Sequence, residues 1–187
     1  QQKCRDLSIV ATTRWLYVSI ASQQLWLLED DNVILQLVCS TSKNPPSCVA
    51  DSLGTPTGIH AIAAKIGSGA PAGAVFKGRV RVADHFNQLP ETEQQTNLIT
   101  SRILRLKGME PGHNAEPKNN AWERFVYVHG TNHPQKLGQP FSAGCVLLSD
   151  PDMINLYDQV SEGDLLWIAI EQKLKQSAVE TAAPGHA

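Results

Sequence analysis

The residues of this chain best able to do covalent chemistry stand close together in HGTNHPQKLGQPFSAGC, positions 129–145. A β-rich run, FVYVH at 125–129, ends on His129, and a glycine-containing turn delivers Cys145. A thiol becomes a nucleophile when a nearby imidazole favours its thiolate, and the two groups must meet in space rather than in sequence. The intervening chain is long enough to fold back, and a strand end is a rigid place to hold a base. Gly144 lets the backbone approach a substrate closely, so the N–H groups of Gly144 and Cys145 are candidate donors to a developing oxyanion. The bland alternative is a buried structural thiol, free cysteine being among the most buried residue types. An active Cys145 is expected to be a single fast-labelled cysteine with a depressed pKa. His129, His133 and Cys145 could also be read as zinc ligands, but Gly130 and Pro134 oppose the helix that would put both imidazoles on one face, so no metal is expected. GSGAPAG at 67–73 lacks the Lys and Ser/Thr of a phosphate loop and reads as a surface loop.

The frame that must hold these groups reads mostly as strand. WLYVSI (15–20), QLWLLE (24–29) and VILQLV (33–38) are short runs parted by turn signals, as in a β-meander. LITSRILRL (98–106), FVYVH and DLLWIAI (164–170) add three more. One helix is clear, from Pro151 to about Val160. Asp150 is placed to cap it, Pro151 suits the first position, and Met153, Leu156, Tyr157 and Val160 share a face. Residues 45–73 and 107–120 read as long loops of the kind that usually form a site or a lid. Beyond Ile170 the sequence turns small and polar, and its end is expected to fray. The fold class is therefore mostly β (α+β).

Composition narrows the partners. The chain has 187 residues, and a net charge of −2 gives no general footprint for nucleic acid or an anionic membrane. No stretch is long and apolar enough to span a bilayer. QQKCRDLS does not read as a signal peptide, and a start at Gln1 rather than Met reads as a processed chain, which leaves export open. None of Cys4, Cys39, Cys48 and Cys145 forms a CxxC pair. Cys39 and Cys48 bracket a turn-rich segment, and the sequence leaves open a disulfide between them or two reduced thiols.

At this point the residues resemble a known family. His129–Gly130–Thr131, followed by Ser142, Gly144, Cys145 and Val146, resembles the signature of L,D-transpeptidase (YkuD-type) catalytic domains. SQQLWLLED resembles that family's amino-terminal strand pair, STSKNPPS with GTPTG its Ser/Thr and TPxG segment, ITSRILRLKGMEPGHN the strand and loop before the histidine strand, and SEGDLLWI the closing strand. The likeness divides the chain into an N-terminal segment (1–13), a catalytic domain (14–170) and a polar tail (171–187). It implies a β-sandwich of mixed sheets with one or two short helices, and a cysteine acyltransferase of the cell envelope, exported and acting on peptidoglycan stem peptides. Cys145 would attack the bond between a diamino acid and D-alanine, and His129 would serve as base and then acid, oriented by the Gly130 carbonyl. Gly144, Ser142, Thr131 and Arg102 would line the substrate and oxyanion side. The resemblance also implies inhibition by carbapenem-type β-lactams and no cofactor; it is silent on oligomeric state.

The chain departs from the family at Ala143, where a histidine is usual, and at Leu147, where an arginine is usual. Arg102, Arg105 or Arg124 could supply the missing cation, although each also reads as a solvated strand-face charge. The same intermediate would serve an L,D-carboxypeptidase with water as acceptor, and a silent peptidoglycan-binding domain would keep the groove alone.

Overall fold

The computed structural model describes residues 2–30 and 32–171. Ten strands dominate the described residues: β1 (Arg14–Ser19), β2 (Gln24–Glu29), β3 (Asn32–Val38), β4 (Gly58–Ile66), β5 (Val75–Lys77), β6 (Val80–Ala83), β7 (Ile99–Gly108), β8 (Tyr127–Gly130), β9 (Val146–Leu148) and β10 (Leu165–Ala169). Three short helices accompany them, α1 (Gln2–Asp6), α2 (Glu91–Gln94) and α3 (Asp150–Gln159). No helix among these residues is long and apolar enough to cross a membrane.

The strands form a mixed sheet in the order β3-β2-β1-β10-β4-β7-β5-β6, with β8 and β9 branching from β7. β1 runs parallel to β10 and β8 parallel to β9; the other pairs are antiparallel. Bridges from Ser40 to Leu147 and from Ser42 to Ser142 tie the chain after β3 to β9 and its approach. The sheet therefore curls until its β3 side meets the β8–β9 branch, and the layers expected of a sandwich are parts of one curled sheet. Inside it, alternate residues of the strands, among them Leu16, Leu27, Leu104, Val128, Val146 and Leu166, pack against Met153, Leu156 and Tyr157 of α3. Each such side chain contributes about 1.5–3 kcal/mol when fully buried. The two-residue alternation sends Tyr127, on β8, to the opposite face, where it joins Phe76 and Ile103 and where Cys145 packs.

The meander, the long strand before the histidine and the closing strand all form where the sequence predicts them. β4, β5 and β6 do not; the first lies within the segment read as a loop. GIHAIAAKI is rich in alanine and weak in strand propensity, but its place between β10 and β7 in the sheet overrides that preference. The helix also starts one residue earlier than expected. Ser149 caps it, its hydroxyl accepting from the Asp152 N–H, while Asp150 is helical and its carboxylate accepts from the hydroxyls of Thr100 and Ser101 at 2.5 and 2.6 Å. All four cysteines are free thiols. Cys39 is buried, which raises it to about 12, and Cys48 Sγ lies 3.6 Å from His113 Nε2. The expectation of a frayed end falls on residues 172–187, outside the described residues.

Candidate active site

The parallel pairing of β8 with β9 builds the site. His129 stands opposite Leu147 in the register, and Cys145 is two residues before Leu147. Alternation places both on one face, about 6–7 Å apart along the strand direction. His129 is buried, and its Nδ1 lies 2.7 Å from the Gly130 carbonyl oxygen. A carbonyl can only accept, so Nδ1 carries the hydrogen and Nε2 keeps the lone pair of a base. Burial lowers the imidazole from 6.5 to about 4, against the opposing pull of the Gly130 hydrogen bond. Gly130 itself leaves no room for a side chain: a Cβ there would collide with Asp150 Oδ1 and lie 2.8 Å from the Thr100 carbonyl.

Ser142, Ala143 and Gly144 make the turn that presents the thiol. Gly144 has φ +123°, a conformation that suits glycine alone. The Ser142 hydroxyl donates to the Cys145 carbonyl at 2.6 Å and accepts from the Gly144 N–H at 3.2 Å. The Gly144 N–H expected to face an oxyanion is therefore turned toward Ser142.

Cys145 is half-buried, with its thiol donating to the Phe125 carbonyl at 3.8 Å. Its surroundings raise it from 9.0 to about 11, chiefly by desolvation, while a backbone hydrogen bond from Tyr127 and the charge of Arg124 oppose the rise. The resting pair is thus a neutral thiol and a neutral imidazole, each hydrogen-bonded to backbone. A depressed thiol, expected from the sequence, is not what this environment produces.

Cys145 opens into a cleft of about 400 Å³ lined by Leu53, Arg124, Phe125, Ala143 and Gly144. Charged residues line it too: the cations Lys118 and Arg124 and the acids Asp51 and Glu123. Arg124 is the cation whose charge acts on the thiol. Its Nη1 donates to the Ser47 carbonyl and its Nη2 to the Gly54 carbonyl, both at 2.9 Å, which ties the 47–54 loop to the cleft. Burial lowers its pKa, and the neighbouring Cys48, Cys145 and Asp51 raise it. From the sequence Arg124 is one of three arginines able to supply this cation, and nothing in the chain singles it out from Arg102 and Arg105.

Arg102 and Thr131 are placed elsewhere. Arg102 is buried, donates to the Ala70 and Ser101 carbonyls at 2.7 and 2.8 Å, and holds its guanidinium 5.5 Å from the Tyr157 ring centroid. Thr131 is buried at the end of β8, its hydroxyl bonded to Asn97 and its N–H to the Leu148 carbonyl. Neither Arg102 nor Arg105 is the solvated strand-face charge first read, since both are buried. His133 turns to the Thr96 carbonyl and the Phe141 ring. Ala143 is exposed in the cleft, and Leu147 is wholly buried, so the two departures from the expected signature differ in kind.

Residues 13–169 match the family model described as YkuD, L,D-transpeptidase catalytic domain. Similar solved structures include an L,D-transpeptidase from Mycobacterium smegmatis, 19% identical over 84% of this chain and 58% of that one, with a TM-score of 0.53. The L,D-transpeptidase LdtMt1 in complex with imipenem is 17% identical over 84% and 59%, with a TM-score of 0.51. L,D-transpeptidase 3 from Mycobacterium tuberculosis, in complex with a faropenem-derived adduct, is 16% identical over 83% and 60%, with a TM-score of 0.51. This chain thus spans less than two thirds of the length of these structures. No curated protein matches it.

Proposed function

Because the chain belongs to the L,D-transpeptidase catalytic domain family, we propose that it is a cysteine acyltransferase that acts on the tetrapeptide stems of peptidoglycan in the cell envelope. The observation that carries the reading is a cysteine at the floor of a cleft, beside Arg124, on the same face as a buried histidine whose Nε2 is left free to accept a proton. Cys145 Sγ attacks the carbonyl carbon between the diamino acid and the terminal D-alanine, and its proton passes to His129 Nε2. With a raised thiol and a lowered imidazole, the proton moves as the sulfur attacks rather than beforehand. The oxyanion takes the Cys145 N–H, since the Gly144 N–H is engaged by Ser142. The carbon–nitrogen bond then breaks, the imidazolium protonates the departing D-alanine, and a thioester remains. An amine from a second stem resolves it and forms a cross-link.

Arg124 takes over the cationic role for which the family commonly uses the position of Leu147, pairing with the stem's carboxylate. The same thiol is the site at which carbapenem-type β-lactams acylate, a reading supported by relatives solved with imipenem and with a faropenem-derived adduct.

The exposed, small Ala143 leaves one side of the thiol open, which favours water as a competing acceptor. The test is to incubate the protein with a purified disaccharide-tetrapeptide and an added D-amino acid. Exchange or cross-linking of the stem supports transfer, and tripeptide alone replaces it with the carboxypeptidase reading. An unchanged stem, with the same result for Cys145→Ala, refutes an acyltransferase.

A further inference from the structure

A second group of cations lies on the Phe125 and Tyr127 side of the cleft. The β5–β6 hairpin turns through Gly78 and Arg79, both at positive φ (54° and 71°), a conformation for which asparagine and glycine are the ordinary residues. Three cations line this hairpin. Lys77 is paired with Glu93 at 2.6 Å and Arg81 with Asp84 at 3.4 Å, but Arg79 has no carboxylate partner among the described residues. Its Nη1 donates instead to the Tyr127 hydroxyl at 3.1 Å, and its guanidinium carbon lies 5.1 Å from the Phe125 ring centroid.

Arg105 approaches the same ring from β7, at 5.3 Å. It is only 9% exposed, stacked 3.3 Å from the Trp122 ring centroid, with Nη2 donating to the Trp122 carbonyl at 2.9 Å. Its Nε is buried without a hydrogen-bond partner. No described carboxylate pairs with it either. Burial lowers Arg105, the neighbouring Tyr127 raises it, and the like charge of Arg79 lowers it. Both guanidinium groups lie within 5.3 Å of the Phe125 ring centroid with no carboxylate partner among the described residues, and the unused buried donor of Arg105 is costly to leave unmet. Phe125 and Tyr127 connect them to the catalytic cleft: Phe125 lines it and accepts from the Cys145 thiol, and Tyr127 packs on the same face as that thiol.

We propose that Arg79 and Arg105 form a carboxylate subsite beside Phe125, at the edge of the cleft, that receives a second carboxylate of an acidic peptide. This rests on the reading of the cleft as a stem-peptide site and adds that the favoured stem keeps its side carboxylates free rather than amidated. A charge-assisted hydrogen bond of about 1.5 kcal/mol corresponds to about a tenfold preference.

The experiment is titration calorimetry on Cys145→Ala protein, so that no turnover intervenes. The probes are a tetrapeptide stem with free side carboxylates and the same peptide with those groups converted to carboxamides. The acid is expected to bind about ten times more tightly. Arg79→Gln, a half-exposed position, should remove that difference, and Arg79→Lys should keep most of it. Equal binding of acid and amide, or a preference untouched by Arg79→Gln, would overturn the subsite while leaving the stem-peptide reading intact. Failure of both peptides to bind would overturn that reading itself, and the subsite with it.

Discussion

Alkylation of Cys145 by iodoacetamide should be slow at neutral pH and should keep accelerating into strongly alkaline solution. The thiol stands at about 11 rather than 9.0, which leaves about a hundredth of the thiolate an ordinary cysteine has at pH 7.5. A more basic thiolate is more nucleophilic, and with a Brønsted coefficient of about 0.4–0.5 this recovers a factor of roughly 6–10. The net expectation is labelling about tenfold slower than that of a free cysteine in a peptide. The rate should climb about tenfold per pH unit toward 11. Because Arg124 is one of the groups that holds the thiol down, Arg124→Gln should slow labelling further at every pH. The assay is quenched alkylation from pH 6 to 11, with the adduct located on the peptide containing Cys145 so that Cys4 and Cys48 do not contribute. Fast labelling with a plateau below pH 9 would refute the reasoning, because it would require a preformed thiolate–imidazolium pair that the burial of both groups argues against.

Acid should destabilise the fold through two buried histidines. His60 and His129 are both lowered to about 4 by burial, whereas the unfolded chain takes up those protons near 6.5. The unfolded state binds more protons between these values, so stability is fully present above 6.5 and is lost as pH falls toward 4, by up to about 3 kcal/mol for each histidine. Urea midpoints measured at pH 7 and 4.5 check this, and an unchanged midpoint would contradict it. Gly130→Ala should cost about 1–3 kcal/mol and most of the activity, because the added methyl displaces Asp150 or Thr100 and with them the strand end that orients His129. Thermal melts paired with turnover would show both losses, and a fully active variant would count against that orienting role. Ser142→Ala should destabilise by about 1–3 kcal/mol through the Cys145 carbonyl and Gly144 N–H it leaves unmet. A denaturant titration would measure it, and an unaltered midpoint would speak against the role of Ser142 in holding the turn.

Where strands carry β-branched, aromatic and leucine residues, as in β1, β2, β3, β7 and β10, the sequence predicts them. β4 is hidden because its alanines carry no local strand signal and it exists by virtue of its two neighbours. The cleft follows the same division. Cys145, His129, Gly130, Gly144 and Ser142 sit within one contiguous motif, and the register of β8 with β9 brings them onto one wall. The partners that come from other elements are not visible in that motif. The 47–54 loop is held at the cleft by Arg124 together with Ser42, Asn44 and Asn119, and Arg102 is drawn away by the Ala70 and Ser101 carbonyls, which only the folded chain brings to it. The protonation state of the thiol was equally out of reach, since it depends on packing by Phe76, Ile103 and Tyr127 rather than on the adjacent glycine.

The central claim is that the Cys145 sulfur carries the acyl group. The measurement that tests it most directly is intact-protein mass spectrometry within seconds of mixing with a disaccharide-tetrapeptide, followed by peptide mapping. The account predicts an adduct equal to the stem less its terminal D-alanine, located on Cys145 and absent from Cys145→Ala. Turnover of the stem without any adduct on Cys145, or an adduct on another residue, would contradict it.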